Sequence, residues 1–419
     1  MRDMSAGKLI ELRSEWILLL GCTLGVAIGP AALPFYTAGI FVTSLRGEFG
    51  WSLSQISLGS LIATLTVALC APFIGTAVDR YGVRLAVGFG LTALSAGFIA
   101  LGSMSGNFEY YIVIIILMAA FGLSSSPMSF TRAINEKFHA ARGLALGITL
   151  SGTGITAFFA PPIIAAIIAD HGWRMGYLTM AAIVVVFIPV VLLLIRPRRT
   201  VGDAPISGAS LPRSDIVSTP FPRWGTIFRD PVFLRLFGAF FILALGVSGF
   251  VLHMVPMLDG FGMSPSESAS IQARLGIAVV AGRLIIGYLA DEFFAPRVAA
   301  VSLCFTLGGL VALAIIGPDV AALSAFAIGF ALGAEVDLIG YLTMRYFGLA
   351  IYGRLYGALY GAFIIGTGLS PLVIARLQLM GNDYTPAIWA CAIFVAIAIL
   401  LLATAPRFPE EDQARIFAR

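Results

Sequence analysis

Long apolar segments constrain this chain more than any other feature of its sequence. A helix that crosses the hydrocarbon core of a bilayer needs about 20 apolar residues. Twelve segments meet this need, at 16–40, 53–78, 85–105, 109–131, 142–169, 174–195, 232–258, 267–290, 297–317, 320–345, 354–380 and 385–405. Only 11% of the 419 residues are charged and 59% are hydrophobic, which is too little charge for the surface of a water-soluble protein. The sequence therefore predicts an all-α membrane protein with twelve transmembrane helices.

The loop charges predict how this bundle is oriented. Lysine and arginine concentrate in the N-terminal tail, the even-numbered connections and the C-terminal tail, whereas the opposite face carries only Arg46, Arg174 and Arg376. The positive-inside rule then places both termini in the cytoplasm. Short tails and loops favour the bacterial cytoplasmic membrane as the setting. The net charge of +4 follows from this bias, so the lipid bilayer is the expected partner and no nucleic acid is.

The two halves of the chain share a pattern that indicates duplication. Three pairs of identical residues are each separated by 212 positions: Gly75 and Gly287, Asp79 and Asp291, and Arg142 and Arg354. Duplicated bundles that rock about a central site are typical of transporters. We predict an N-terminal six-helix bundle at 1–195 and a C-terminal bundle with a short cytoplasmic tail at 232–419. The proline- and glycine-rich basic stretch 196–231 is the predicted cytoplasmic linker.

Glycines within the spans predict close contacts between helices. Gly143 and Gly147 open the fifth span, and Gly357 and Gly361 open the eleventh. Small residues let helix backbones approach one another in lipid, where the hydrophobic effect does not bring helices together.

The loop after the second span carries a motif that resembles the signature of the major facilitator superfamily. Its residues are Gly75, Asp79, Arg80, Gly82 and Arg84. The resemblance implies the fold of that family, with two pseudo-symmetric six-helix bundles, and a latch that closes the cytoplasmic side. In such a latch Asp79 meets the start of the eleventh span and Asp291 the start of the fifth. The implied gating residues are Asp79, Arg80, Arg84, Arg142, Asp291 and Arg354.

Three shorter motifs resemble the monocarboxylate transporter-like and oxalate–formate antiporter-like branch of that superfamily. They are Phe49-Gly-Trp51-Ser, Gly172-Trp-Arg174 and Gly282-Arg283-Leu-x-x-Gly287. The resemblance implies proton-linked movement of small carboxylates, with the substrate held by Arg283. The chain departs from animal members in two ways, since Val279 replaces an aspartate one turn before this arginine and the first span lacks a lysine. The eleventh span also lacks the second cation of oxalate-type relatives, which favours monocarboxylates over dicarboxylates.

Three charges in the predicted spans occur in the second half alone. Arg283, Glu335 and Asp337 each need a reason, because a charge at bilayer depth is costly. A guanidinium grips a carboxylate through two parallel hydrogen bonds, so Arg283 is the candidate substrate anchor. The alternative is a structural ion pair with Glu335 or Asp337. These two acids are the candidate proton-coupling residues, and on a helix they lie about 200° apart and face different sides. The alternative for them is pairing with Arg283 or Arg345.

The remaining candidates carry weaker signals. His253, near the outer end of the seventh span, titrates in a range that suits proton coupling, or it serves as an interfacial hydrogen-bonding residue. Ser125, Tyr36 and Tyr341 are candidate substrate contacts, although the serine hydroxyl could bond to its own helix and the tyrosines could be interfacial anchors. Arg274 either steers anions towards the outer mouth or extends to the interface.

These observations predict a secondary active transporter of a small organic anion, an aliphatic or aromatic monocarboxylate, that works as a monomer by alternating access with proton symport. The alternatives are an exporter of amphiphilic compounds and a non-transporting nutrient sensor on the same fold. An enzyme is not expected, because the sequence offers no catalytic constellation and no phosphate-binding loop. Neither a cofactor nor a metal is expected, since the three histidines are scattered.

Overall fold

Helices form the regular structure of the described chain. The computed structural model describes residues 2–195, 224–263, 265–381 and 383–409. After an N-terminal helix, Arg2–Ser14, the first six spans follow in order. They are Trp16–Ile28 with Leu33–Phe49, Leu53–Tyr81, Val83–Gly102, Phe108–Gly122 with Pro127–Lys137, Arg142–Leu150 with Gly152–His171, and Trp173–Leu194.

The second half repeats this arrangement. Its spans are Pro231–Val247 with Phe250–Gly260, Pro265–Glu292, Ala295–Ile316, Ala321–Phe347, Tyr352–Gly381 and Thr385–Ala403. Ten of the twelve spans are long and apolar enough on their own to cross a membrane, counting only described residues. The seventh is divided into two shorter helices, and the eighth carries several charges, including Arg274, Arg283 and Asp291. The predicted all-α membrane fold with twelve spans is confirmed.

Three spans of the first half are divided, and near the breaks in the first and the fourth a side-chain hydroxyl satisfies the freed backbone. The first span stops at Gly29, and the Thr156 hydroxyl donates to the Ala27 carbonyl at 2.5 Å. The fourth passes through a short 3₁₀ turn, and the Ser129 hydroxyl donates to the Ser124 carbonyl at 2.6 Å. Irregular backbone is tolerated at membrane depth when it is buried in protein or lines a water-filled cavity, and these hydrogen bonds meet the first condition.

The most extensive contacts between the halves are those of the second span with the eleventh and of the fifth span with the eighth. Glycines make this contact possible. A Cβ atom added to Gly75 would overlap the Gly353 carbonyl, and one added to Gly143 would overlap that of Gly287. Backbone oxygens of the opposite half would also lie within 2.6 Å of a Cβ atom added to Gly147 or Gly357, so the predicted role of glycine in close packing is confirmed.

The same contacts show that one offset of 212 positions does not relate every pair of equivalent spans in the two halves. Gly75 and Gly287 differ by 212 positions, but their partners Gly353 and Gly143 differ by 210. The fifth and eleventh spans are therefore related by a different register from the second and eighth. The match between Arg142 and Arg354 at 212 does not mark equivalent positions.

The predicted linker 196–231 falls largely outside the described residues, which resume at Trp224. Trp224–Ile227 is a short helix, and the Trp224 ring lies 4.2 Å beneath the guanidinium of Arg354. Asp230 then caps the seventh span by accepting hydrogen bonds from the amides of Val232 and Phe233, each at 2.8 Å.

Candidate functional site

The central charged group of the site is an ion pair between the eighth and tenth spans. Arg283 Nη1 lies 3.3 Å from Asp337 Oδ1, and only 11% and 6% of the two side chains are exposed. The Arg283 carbonyl is close enough to Gly147 of the fifth span to collide with an added Cβ atom. The pair therefore lies where the two halves of the protein meet.

Asp337 keeps one oxygen free within this environment. Its Oδ2 is buried and has no hydrogen-bond partner among the described residues. Asp337 also lines a small cavity between the fifth, eighth and tenth spans, with Leu146, Gly287 and Tyr341 among the lining residues. This carboxylate thus faces both Arg283 and the opposite half of the molecule.

Glu335 lies on another side of the same helix. It is 1% exposed and lines a small cavity with Phe240, Ser302 and Leu402, which belong to the seventh, ninth and twelfth spans. Neither of its carboxylate oxygens has a hydrogen-bond partner in the described part of the chain. Glu335 therefore points into the interior of the second half, away from the contact between halves.

A first carboxylate latch joins the second and eleventh spans. Asp79 accepts hydrogen bonds from the amides of Gly353 and Arg354, at 2.9 and 3.0 Å. The start of a helix presents unpaired N–H groups and a partial positive charge, which an aspartate satisfies well. Arg132 of the fourth span contacts the same carboxylate at 2.5 Å and also donates to the Leu349 carbonyl at 2.7 Å.

A second latch joins the eighth and fifth spans in the same manner. Asp291 accepts hydrogen bonds from the amides of Gly143 and Leu144, at 2.5 and 3.1 Å. No arginine contact to this carboxylate is found in the described chain, in contrast to Asp79. We refer to the end of the bundle that carries Asp79 and Asp291 as the latch end.

The four arginines of the predicted gating set have other surroundings. Arg80 and Arg84 are exposed, so Arg132 takes the place at Asp79 that the motif suggested for them. Arg142 is buried and donates to the Phe138 carbonyl at 3.0 Å. Arg354 contributes its amide to the latch and its guanidinium to Trp224. Arg132 carried a sequence signal, since it ends an apolar span.

Of the predicted substrate-contacting side chains, Tyr341 lines the cavity that contains Asp337, and none has a hydrogen bond to Arg283 in the described chain. Tyr341 donates to the Ala290 carbonyl at 2.8 Å, close to the latch end. Ser125 is fully buried and donates to the Gly122 carbonyl at 2.8 Å, and it packs against Gly90 inside the first half. Tyr36 is partly exposed and its ring meets Phe35 edge-on.

His253 takes part in a separate contact near the opposite end. Its Nε2 lies 3.1 Å from the Pro371 carbonyl, and its Nδ1 lies 3.5 Å from the Tyr384 hydroxyl. These contacts join the seventh, eleventh and twelfth spans. None of them reaches the Arg283–Asp337 pair.

A polar group that the sequence analysis missed crosses between the halves near Asp337. The Tyr352 hydroxyl donates to Thr131 at 2.9 Å and accepts from the Asn135 amide at 3.1 Å. Asn135 also donates to the Gly340 carbonyl at 3.3 Å. All three side chains are fully buried. Thr131 at the end of the predicted fourth span, with Asn135 one turn later, was the available signal.

The architecture and the site together define a multi-pass membrane transport protein with two helical bundles. The profile of the Major Facilitator Superfamily matches residues 24–371. The chain belongs to this superfamily and is one of its transporters.

Relatives with curated names point to one branch of the superfamily. Monocarboxylate transporter 12 of Xenopus laevis is 23% identical over 96% of this chain and 91% of the relative. MFS transporter asaE of Aspergillus flavus is 24% identical over 89% of this chain and 82% of the relative. The predicted resemblance to the monocarboxylate transporter-like branch is confirmed at this level.

Solved structures share the fold at low identity. FucP, the fucose:proton symporter of E. coli, superposes with a TM-score of 0.71 at 14% identity and covers 95% of this chain and 99% of FucP. A bacterial homologue of the iron transporter ferroportin, in an outward-facing state, superposes with a TM-score of 0.70 at 14% identity. The match covers 93% of this chain and 98% of the homologue.

Proposed function

We propose that this protein carries a small monocarboxylate across the bacterial cytoplasmic membrane together with a proton. The observation that supports it is the Arg283–Asp337 contact, at 3.3 Å and buried at the junction of the halves. A guanidinium held by a single carboxylate oxygen retains donors that a substrate carboxylate can occupy. The names of the curated relatives point to the same class of substrate.

Charge balance explains why a proton accompanies the anion. An ion pair inside the membrane carries no net charge, but adding a substrate monoanion would leave one uncompensated negative charge. If the substrate carboxylate takes the place of Asp337 on Arg283, a proton on Asp337 restores neutrality. Each transport cycle then carries one anion and one proton across the membrane. Electroneutral symport with one proton per substrate follows.

We assign the coupling proton to Asp337 because it contacts the proposed anchor. Glu335 remains the second candidate, since a buried carboxylate without partners is tolerated far better as the neutral acid than as the anion. His253 is the third candidate, and its known contacts lie away from Arg283. Tyr36, Ser125 and Tyr341 belong to the proposal only as residues that a bound substrate would reach in another state of the cycle.

The two latches support transport by alternating access. The bundles 1–195 and 232–419 would rock about Arg283, with the linker 196–231 as the tether between them. The positive-inside rule assigns the latch end, and both termini, to the cytoplasm. On this assignment the described contacts belong to a state closed towards the cytoplasm. Opening that side requires Asp79 and Asp291 to leave the helix starts that they cap.

Transport by the purified protein in liposomes tests the proposed substrate class. We would measure counterflow and uptake of labelled lactate, pyruvate and benzoate, with oxalate and succinate as dicarboxylates. Uptake of at least one monocarboxylate is expected to exceed that of both dicarboxylates. Failure of every carboxylate to move in counterflow would contradict the proposal.

The anchor is tested with a matched pair of arginine substitutions. Arg283→Lys keeps the charge but loses the planar fork, so we expect the uptake rate to fall by about tenfold or more. Arg274→Lys is the control, because Arg274 belongs to the same helix and is exposed. Normal uptake by Arg283→Lys would rule out the forked anchor, and an equal loss in both variants would assign the effect to the helix as a whole.

A further inference from the structure

The N-terminal helix Arg2–Ser14 makes a contact with the first half that neither latch includes. The Glu11 carboxylate accepts a hydrogen bond from the amide of His139 with one oxygen and from that of Ala141 with the other, each at 2.7 Å. These amides lie just before the fifth span, which begins at Arg142. Glu11 thereby anchors the N-terminal helix to its own half of the protein.

The same helix also reaches the opposite half. Lys8 Nζ lies 2.5 Å from Glu292 Oε1 and 4.3 Å from the centre of the Tyr288 ring, and both partners belong to the eighth span. Lys8 is 6% exposed, so its ammonium depends on these partners. Lys8 and Glu11 are three residues apart and share one face of the helix. A single helical turn therefore touches both halves.

This contact is continuous with the second latch. Asp291, next to Glu292, caps the amides of Gly143 and Leu144. Glu11 holds the amides of His139 and Ala141 immediately before them. Carboxylates from two separate segments thus hold four amides around the start of the fifth span. Separation of the halves at this end would break the Lys8–Glu292 pair together with the Asp291 hydrogen bonds.

The residues involved also differ from their counterparts in the first half. Glu292 occupies the position that Arg80 holds 212 residues earlier, and Arg80 is exposed. The first latch has Arg132 on its aspartate, whereas Asp291 has no arginine contact in the described chain. Lys8 supplies a further cation beside the latch whose aspartate has no arginine contact in the described chain.

We propose that the N-terminal helix is a brace of the gate at the latch end, with Lys8 and Glu292 as further gating residues. The brace stabilises the state in which the fifth and eighth spans are in contact at this end. Weakening it shifts the resting population towards the state that is open there. This inference needs alternating access but does not depend on the identity of the substrate.

Labelling of a buried reporter cysteine measures the population that is open at the latch end. Leu146 is fully buried and lines the cavity between the fifth and eighth spans, so Leu146→Cys in a background free of the four native cysteines is the reporter. The rate of labelling by a membrane-impermeant maleimide is read in inside-out vesicles. We expect Lys8→Glu and Glu292→Lys each to raise this labelling rate by about threefold or more, because each breaks a largely buried ion pair.

Charge reversal supplies the decisive comparison. The double variant Lys8→Glu with Glu292→Lys restores the pair and is expected to return labelling to the parental rate. Arg13→Glu is the matched control, because Arg13 is exposed on the same helix and should leave labelling unchanged. Parental labelling in both single variants, or no recovery in the double variant, would overturn the proposal.

A milder pair guards against loss of folding in the reversed variants. Lys8→Met keeps the apolar stem, and Glu292→Gln keeps the shape of the side chain. If a reversed variant is not monodisperse in detergent, these two are labelled in its place. We expect the labelling rate to increase in both variants, and the parental rate in both would overturn the proposal.

Discussion

Glu48 lies beyond the membrane-crossing part of the first span, Trp16–Val42, and ties the end of its helix to the sixth span, opposite the latches. Its carboxylate accepts a hydrogen bond from the Trp173 indole and pairs with Arg174 at 2.7 Å. Phe49 and Trp51 pack beside it, their ring centres 5.0 Å apart. Two of the motifs that suggested the monocarboxylate transporter branch therefore form one structural cluster.

This cluster predicts a pH effect on stability. The indole hydrogen bond, followed by that of Arg174, lowers the pKa of Glu48 below its ordinary value. The ionised Glu48 therefore contributes fully to the free energy of unfolding above its ordinary pKa of about 4.3. This contribution is lost as the pH falls through the lower pKa of the folded state. The melting temperature should fall more steeply below about pH 4 in the parent than in Glu48→Gln.

The control for this prediction is Glu109→Gln. Glu109 is exposed in the first turn of the fourth span, and its side chain has no hydrogen bond or ion pair in the described part of the chain. Glu109→Gln should therefore show the same fall in melting temperature at acidic pH as the parent. Identical acid profiles for the parent and Glu48→Gln would show that the cluster adds nothing to stability in this pH range.

At the residue scale, part of the site could be predicted from the sequence. The spacing of Glu335 and Asp337 correctly separates them onto different sides of a helix, and their absence from the first half marks them as unusual. The spacing does not reveal which of them faces Arg283, because that depends on the rotation of the tenth span against the eighth. Arg132 was missed because the motif drew attention to arginines nearer in sequence.

At the scale of the helices, backbone contact between glycines holds the halves together. Gly353 of the eleventh span lies against the carbonyl of Gly75 and beside Asp79 Oδ1. A methyl group at Gly353 would press on both the partner helix and the latch. The contact and the hydrogen bonds of Asp79 therefore depend on each other.

Gly353→Ala is expected to destabilise the protein despite the better helix propensity of alanine. Overpacking costs roughly 1–3 kcal/mol, which exceeds the gain of about 1 kcal/mol from replacing glycine in a helix. Gly308→Ala is the control, since a Cβ atom there meets nothing within 4 Å. The melting temperature should fall for Gly353→Ala and stay level or rise for Gly308→Ala. The reverse order would contradict the close packing.

The number and type of the elements were predictable, but their interruptions were not. Apolar runs reveal where a span lies because length and hydropathy are local properties. The break at Gly29 depends on Thr156, which belongs to a helix 127 residues later in the chain. Such breaks are set by tertiary hydrogen bonds, which a pattern of apolar residues does not contain.

At the scale of the whole molecule, duplication supplies two similar latches and a site that is not duplicated. The latches use Asp79 and Asp291 in the same way, each capping the start of a helix in the other half. Arg283, Glu335 and Asp337 have no charged counterparts in the first half. Symmetric gates around an asymmetric charged site fit a transporter in which only one half carries the substrate chemistry.

Proton-driven accumulation by Asp337→Asn tests the central claim most directly. Liposomes containing the parent, Asp337→Asn or the control Glu335→Gln would be given labelled monocarboxylate with an inward proton gradient, and counterflow would be measured without one. We predict that Asp337→Asn retains counterflow but no longer accumulates substrate in response to the gradient, while Glu335→Gln still does. Gradient-driven accumulation by Asp337→Asn at the parental level would contradict the account.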